Sequence, residues 1–220
     1  MSELRAARRR RVKLVAVPAA VIALVVAMAL DTKFISAAEL ETYTGVQFSA
    51  EEFARQNFDA ITAAVTEKAQ PAAALRQAIE ADKDAAGEQF GGRDSAGAAW
   101  AFPVTLTGAA GQVNTVNGQL PVTVEGFPEA PQLLVQTGPA VIGSALRDVT
   151  GEITFGMFLN QTEYQQAGQA LNDVVRAQVL PGVDAAALDG RTVTVVGAFL
   201  LDAQSGGRWL ITPVSIAVEG

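Results

Sequence analysis

The side chains best suited to chemistry fall between residues 134 and 164. Gln136-Thr137-Gly138-Pro139 is followed by Gly143 and then by Arg147-Asp148. A guanidinium beside a carboxylate on a glycine-bearing connection can grip a ligand carboxylate or sugar hydroxyls, with Asp148 accepting from the hydroxyls. The same residues suit a plain turn, in which the glycines supply positive φ and Arg147 and Asp148 cap a helix or pair with each other. A second group, Asn160, Gln161, Glu163 and Tyr164, opens a stretch of helical periodicity, and Asn172-Asp173 lie further along it. Amides and a carboxylate next to an aromatic ring match a carbohydrate, whose hydroxyls need hydrogen bonds and whose C–H face stacks on a ring. The structural alternative is that Asn160 or Thr162 caps the helix and Tyr164 packs on the body of the domain. The candidate ligand-binding residues are therefore Gln136, Thr137, Arg147, Asp148, Asn160, Gln161, Glu163 and Tyr164. Asn160-Gln161-Thr162 also matches a glycosylation sequon, a short pattern that is discounted here.

Catalytic chemistry has little to work with. The 220 residues include no histidine and no cysteine, which removes the commonest general base near neutral pH, the usual zinc ligands, thiol catalysis and disulfides. Asp148, Glu152, Glu163 and Asp173 are close enough in sequence to converge as a glycosidase pair, but nothing in their spacing fixes a separation or a difference in pKa. Gly91-Gly92 and Gly206-Gly207 lack the strand-to-helix setting of a phosphate loop. The expectation is a non-enzymatic protein with no catalytic residues, no metal and no cofactor.

These groups must be positioned by recognisable elements. Ser49-Ala50-Glu51-Glu52 is a capping-box pattern, and Ala54, Phe58, Ile61 and Val65 follow at helical spacing, predicting a helix from about 50 to 68. Pro71 restarts a helix with Leu75, Ile79, Ala86 and Phe90 near one face, ended by Gly91-Gly92. The period then drops to two: Trp100, Phe102, Val104 and Leu106 alternate, as do Leu120, Val122 and Val124 after the turn residues Asn117-Gly118. Leu133 to Val135 form a third strand, broken by Gly138-Pro139. Helical spacing returns between Phe158 and Val179 through Tyr164, Ala167, Leu171, Val174, Val175 and Gln178, until Pro181-Gly182. Two strands, Thr192 to Leu201 and Trp209 to Val218, flank a Ser205-Gly206-Gly207 turn. Three strands, a helix and two strands is the element order of an OB-type barrel. The expected fold is α+β: an N-terminal membrane helix, a small helical element at about 50 to 92, and an OB-like antiparallel barrel with a helix between strands three and four.

Charge divides the chain in the same way. Arg5, Arg8, Arg9, Arg10, Arg11 and Lys13 supply six of the 16 basic residues, so ten bases face 22 acids beyond Lys13. A globular part that acidic repels polyanions, which argues against a nucleic-acid partner. Leu14 to Leu30 is an uncharged apolar run of 17 residues directly after the arginines. It lies at the short end of what spans a bilayer, and the positive-inside rule sends the rest of the chain outward. A cleaved signal peptide with Ala27-Met28-Ala29 at the processing site is the competing reading. The resulting division is a cytoplasmic basic segment at 1–13, an anchor at 14–30, a linker and helical element at 31–97, and a barrel at 98–220. The expected location is the cell membrane, single-pass, with the C-terminal domain extracytoplasmic.

The stretch from Leu134 to Asp148, together with Phe158-Leu159-Asn160-Gln161-Thr162-Glu163-Tyr164, Ala170-Leu171-Asn172, Gly197-Ala198-Phe199 and Ile211-Thr212-Pro213-Val214, resembles the bacterial family of unknown function 2291, the predicted periplasmic lipoproteins. The resemblance spans about residues 30 to 218. It implies an envelope location and genes beside sugar importers of the ATP-binding-cassette type, but no activity. Lacking cysteine, this chain departs from the lipoprotein label, which favours a transmembrane anchor. The expected function is a membrane-anchored accessory or binding protein, with the membrane and a sugar importer or its substrate-binding protein as partners. The alternatives are a structural envelope module without ligand and a carboxylate-dependent enzyme acting on glycans. A wide, polar barrel mouth favours ligand binding; a mouth plugged by apolar side chains favours the structural module.

Overall fold

A computed structural model describes residues 48–130, 132–202 and 208–219. The apolar run at 14–30, the processing site at Ala29 and the Ser205-Gly206-Gly207 turn lie outside the described residues. Among those described, no helix is long and apolar enough to cross a membrane.

Helix α1 (Ala50–Lys68) starts where the capping pattern places it, with Ser49 Oγ accepting from the Glu52 amide at 3.2 Å. It buries Ala54, Phe58, Ile61 and Val65, the apolar set read from spacing. The next helical stretch is two helices, α2 (Ala72–Ala81) and α3 (Lys83–Phe90). Asp82 is extended at the break and its carboxylate accepts from the amides of Asp84 and Ala85, so it stops one helix and caps the next. Before them, β1 (Gln70–Pro71) pairs in parallel with residues Val104 and Thr105.

Five strands close the barrel: β2 (Ala101–Ala110), β3 (Gln119–Thr123), β4 (Gln132–Gln136), β5 (Thr192–Leu200) and β6 (Arg208–Val218). Their order is β2-β3-β4-β6-β5, and β5 returns to pair with β2. The β4–β6 pair is parallel, which corrects the expectation of an all-antiparallel barrel. It follows from chain direction, because the crossover between β4 and β5 leaves β6 running the same way as β4. Helix α5 (Gln161–Val174), continued by a wider turn at Val175–Val179, lies in that crossover, as does the short α4 (Ala145–Asp148). In the tail of the predicted periodicity Val175 is buried, whereas Gln178 is exposed.

Two apolar cores result. Phe102, Val104, Leu106, Leu120, Val122, Val135, Val195, Phe199, Trp209 and Ile211 fill the barrel, joined by Leu75 and Ala86 from the helices before it and by Trp100. Phe199 stacks on Phe102 at 5.8 Å and on Trp209 at 4.2 Å. Outside, α1 and α5 pack together over Ala101, Ala198 and Val214 with Leu146 and Ile153. Large side chains pointing inward from alternate positions leave the barrel a packed core.

Candidate functional site

The sequence-predicted residues separate into three structural groups. Gln136, at the end of β4, is buried, and its amide is spent inside the protein. Its Nε2 donates to Ile142 O at 3.0 Å and to Thr212 Oγ1 at 2.8 Å, and its Oε1 accepts from the Ile142 amide at 2.8 Å. Both ends of the 137–142 loop are thereby tied to the barrel wall. Thr137 donates from its amide and its hydroxyl to Gly118 O, at 2.8 and 2.9 Å. Gly118 has φ +68°, and a Cβ there would sit 0.9 Å from Gly138 O, so only glycine fits this crossing of two loops. Asn172, buried in α5, donates to Gly143 O at 2.8 Å and holds the loop's far end.

The second group is a buried ionic cluster. Arg147 and Asp148 pair side by side through Nε–Oδ1 at 2.7 Å and Nη2–Oδ2 at 3.1 Å. The guanidinium also donates to Tyr164 O at 3.2 Å and lies 3.5 Å over the Tyr164 ring. Gly168, one turn further along α5, faces the guanidinium: a Cβ there would stand 3.7 Å from Arg147 Nη1, an ordinary contact, so alanine would fit as well. The Tyr164 hydroxyl donates to Asp94 Oδ2 at 2.7 Å and approaches Asp148 Oδ1 at 3.3 Å. Burial alone would raise the Asp94 pKa, but the hydrogen bonds from Tyr164 and Ser95 and the charge of Arg147 outweigh it and hold the carboxyl below its ordinary range. Burial and the bond to Asp94 push the Tyr164 phenol well above its ordinary value. The cluster ties the loop before β2 to α4 and α5.

Asn160, Gln161 and Glu163 form the third group. Asn160 Oδ1 accepts from the Glu163 amide at 2.9 Å, and Glu163 Oε2 accepts from the Leu159 amide at 3.0 Å, a reciprocal cap on α5. Gln161 is exposed in its first turn. Of the eight residues, then, the fold gathers Arg147, Asp148 and Tyr164, adds Asp94, sets Gln136 and Thr137 to tie loops and Asn160 and Glu163 to cap α5, and leaves Gln161 exposed.

A concavity suited to a ligand lies elsewhere, on the outer face of β3 and β4. A concavity of about 540 Å³ is lined by Gln112 and Asn114 from the β2–β3 loop, Gln119, Pro121 and Thr123 from β3, and Gln132 and Leu134 from β4. Phe127, Pro128 and Glu129 from the β3–β4 loop and Arg208 at the start of β6 complete the wall. Register explains the grouping: Pro121 pairs with Leu134, and Gln132 with Arg208, so their outward side chains share one surface. Phe127 is seated edge-on against Trp209 at 5.6 Å, with the Arg76 guanidinium 5.9 Å from its ring, so the barrel core props the aromatic wall of the site. This face is the one through which OB barrels bind oligonucleotides and oligosaccharides. Sequence reasoning missed it, although the alternation Gln119-Leu120-Pro121-Val122-Thr123 marks the outward set as clearly as the inward one. Among the described residues, no group of acidic side chains is arranged to hold a metal ion.

A closed five-stranded barrel in the order β2-β3-β4-β6-β5, with helices in the crossover, defines an OB-fold protein. A crystal structure of an OB-fold protein from Thermotoga maritima is similar to it, at 15% identity with a TM-score of 0.64, over 79% of this chain and all of that one. The chain belongs to the family of predicted periplasmic lipoproteins, DUF2291, whose model it matches over residues 20–217. That family is of unknown function, and its description indicates an extracytoplasmic, membrane-associated protein. No protein of curated function is detectably similar in sequence. The segments that carried the family resemblance, Gln136 to Pro139 and Asn160 to Tyr164, are those that tie loops and cap α5.

Proposed function

We propose that this protein is a membrane-anchored, non-enzymatic accessory protein of a sugar importer of the ATP-binding-cassette type, binding a neutral, hydroxyl-rich ligand on the outer face of β3 and β4. The observation that carries the reading is the lining of that face. Gln112, Asn114, Gln119 and Gln132 bring amides that both donate and accept, Thr123 adds a hydroxyl, and Phe127 with Pro121 and Pro128 offers apolar surface for sugar C–H groups. The net acidity of the exported part disfavours polyanionic ligands. The apolar run at 14–30 supports the anchor, and the importer as partner rests on the family resemblance.

A second reading, a structural envelope module, draws on one observation: Phe102, Phe199 and Trp209 stack through the barrel, so its interior admits no ligand. Purification of tagged full-length protein from its native membrane in mild detergent, with mass spectrometry of what accompanies it, separates the two. Importer subunits are the expected companions. A solitary protein contradicts the accessory role.

A further inference from the structure

We propose that the loop carrying Phe155, Met157 and Leu159 is a membrane-docking tip that inserts into the outer leaflet interface and orients the domain on the bilayer. The proposal rests on the anchored reading above and adds to it a surface that nothing else in the fold uses. These three side chains are 46, 60 and 72% exposed, although they stand within five residues of one another. Exposed large apolar residues are ordinary when they stand singly; three within five residues mark a candidate contact surface. The turn rests on an aromatic base: Phe158 packs on Phe48 at 5.4 Å, on Phe53 at 5.4 Å and on Tyr164 at 5.3 Å, while Phe155 meets Tyr164 edge-on at 5.6 Å. Packing of the turn's backbone neighbours on that base lowers the ordering cost of inserting its exposed side chains.

Chain connectivity selects lipid as the partner. Residue 48 is where the chain enters the described domain, and Phe48 belongs to the aromatic base of the tip. Only 17 residues, 31–47, separate it from the end of the apolar run at Leu30. With 14–30 as the anchor, the domain is tethered to the bilayer through a short stretch of sequence, and a tethered surface needs only a weak insertion to stay bound. The neighbouring charges, Glu152 and Glu163, are acidic. Attraction to anionic headgroups therefore does not drive the contact, and burial of Phe155, Met157 and Leu159 does.

Because the chain has no cysteine, single-cysteine variants of the full-length protein can be labelled with one environment-sensitive dye and reconstituted in nanodiscs of phosphatidylethanolamine and phosphatidylglycerol. Label at Met157→Cys or Leu159→Cys is expected to shift to the blue and to be quenched several-fold by nitroxide-bearing lipids. Label at Val116→Cys, a site 87% exposed on the β2–β3 loop, is expected to show neither change. Raising salt is expected to leave the quenching intact. Protein that stays in the disc with labels at 157 and 159 unquenched overturns the tip and leaves the anchor standing; protein absent from the disc overturns the anchored reading itself. A blue shift that nitroxide lipids do not quench means that protein covers the tip, and it overturns the proposal too.

Discussion

Arg147 shows how a residue that looks like ligand chemistry becomes architecture. Its charge is neutralised by Asp148, its Nη1 donates to Tyr164 O, and its plane rests on the Tyr164 ring. Buried ion pairs add little net stability, but removing one partner strands the other charge. Arg147→Met is therefore expected to cost about 3–5 kcal/mol, read from urea denaturation of the detergent-solubilised protein. Tyr164→Phe removes only the hydroxyl and is expected to cost about 1–3 kcal/mol. The titrations have definite signs. Asp94 binds its proton less readily folded than unfolded, so its contribution is present above about pH 3.9, the unfolded value, and is lost as pH falls through its lower folded pKa. Tyr164 is the reverse: its phenol holds its proton more tightly when folded, so the contribution is present below about pH 10 and fades above it. Denaturation midpoints followed across pH should show the acid loss shrink in Asp94→Asn and the alkaline loss shrink in Tyr164→Phe.

Among the elements, α1 was legible to the residue because one capping serine and one uninterrupted apolar period specify it. The break at Asp82 was not, since Leu75, Ile79, Ala86 and Phe90 keep helical phase across it and only the cap distinguishes one helix from two. Asp82→Ala is expected to cost about 1 kcal/mol and to raise amide exchange in residues 83–86, measured by hydrogen exchange. Of the five barrel strands, β2 and β3 were legible from alternation and β4, β5 and β6 from apolar runs bounded by turn residues, but neither pattern carries direction, so the parallel β4–β6 pair needed the three-dimensional path. Polar residues in connections drew attention to Gln136 to Tyr164, and their partners were invisible: Ile142, Thr212 and Asp94 supply the bonds that turn those residues inward. The β3–β4 face went unread for the opposite reason, because Gln119 and Gln132 sit at strand positions whose pattern is explained by burying their neighbours, and Gln112 and Asn114 join them only in three dimensions. At the crossing of the two loops, Gly118→Ala is expected to unfold or rearrange the 111–118 and 137–142 segments, visible as lost dispersion in amide spectra.

At the scale of the molecule, the barrel interior is closed and the useful surface is outside. The described domain offers a polar, aromatic-backed face on β3 and β4 and an apolar tip at 155–159, supported by different cores. Phe127 couples the ligand face to the barrel through Trp209, so Phe127→Ala is expected to weaken ligand binding at least tenfold with a smaller effect on stability, since Phe127 is only partly buried. The measurement that tests the central claim most directly is a residue-resolved NMR titration of the full-length protein in detergent micelles with neutral oligosaccharides. Shifts concentrated at Gln119, Thr123, Phe127 and Gln132, and abolished by Phe127→Ala, are the predicted result. Saturating saccharide that leaves those amides unmoved, or moves only those around Arg147 and Tyr164, contradicts it.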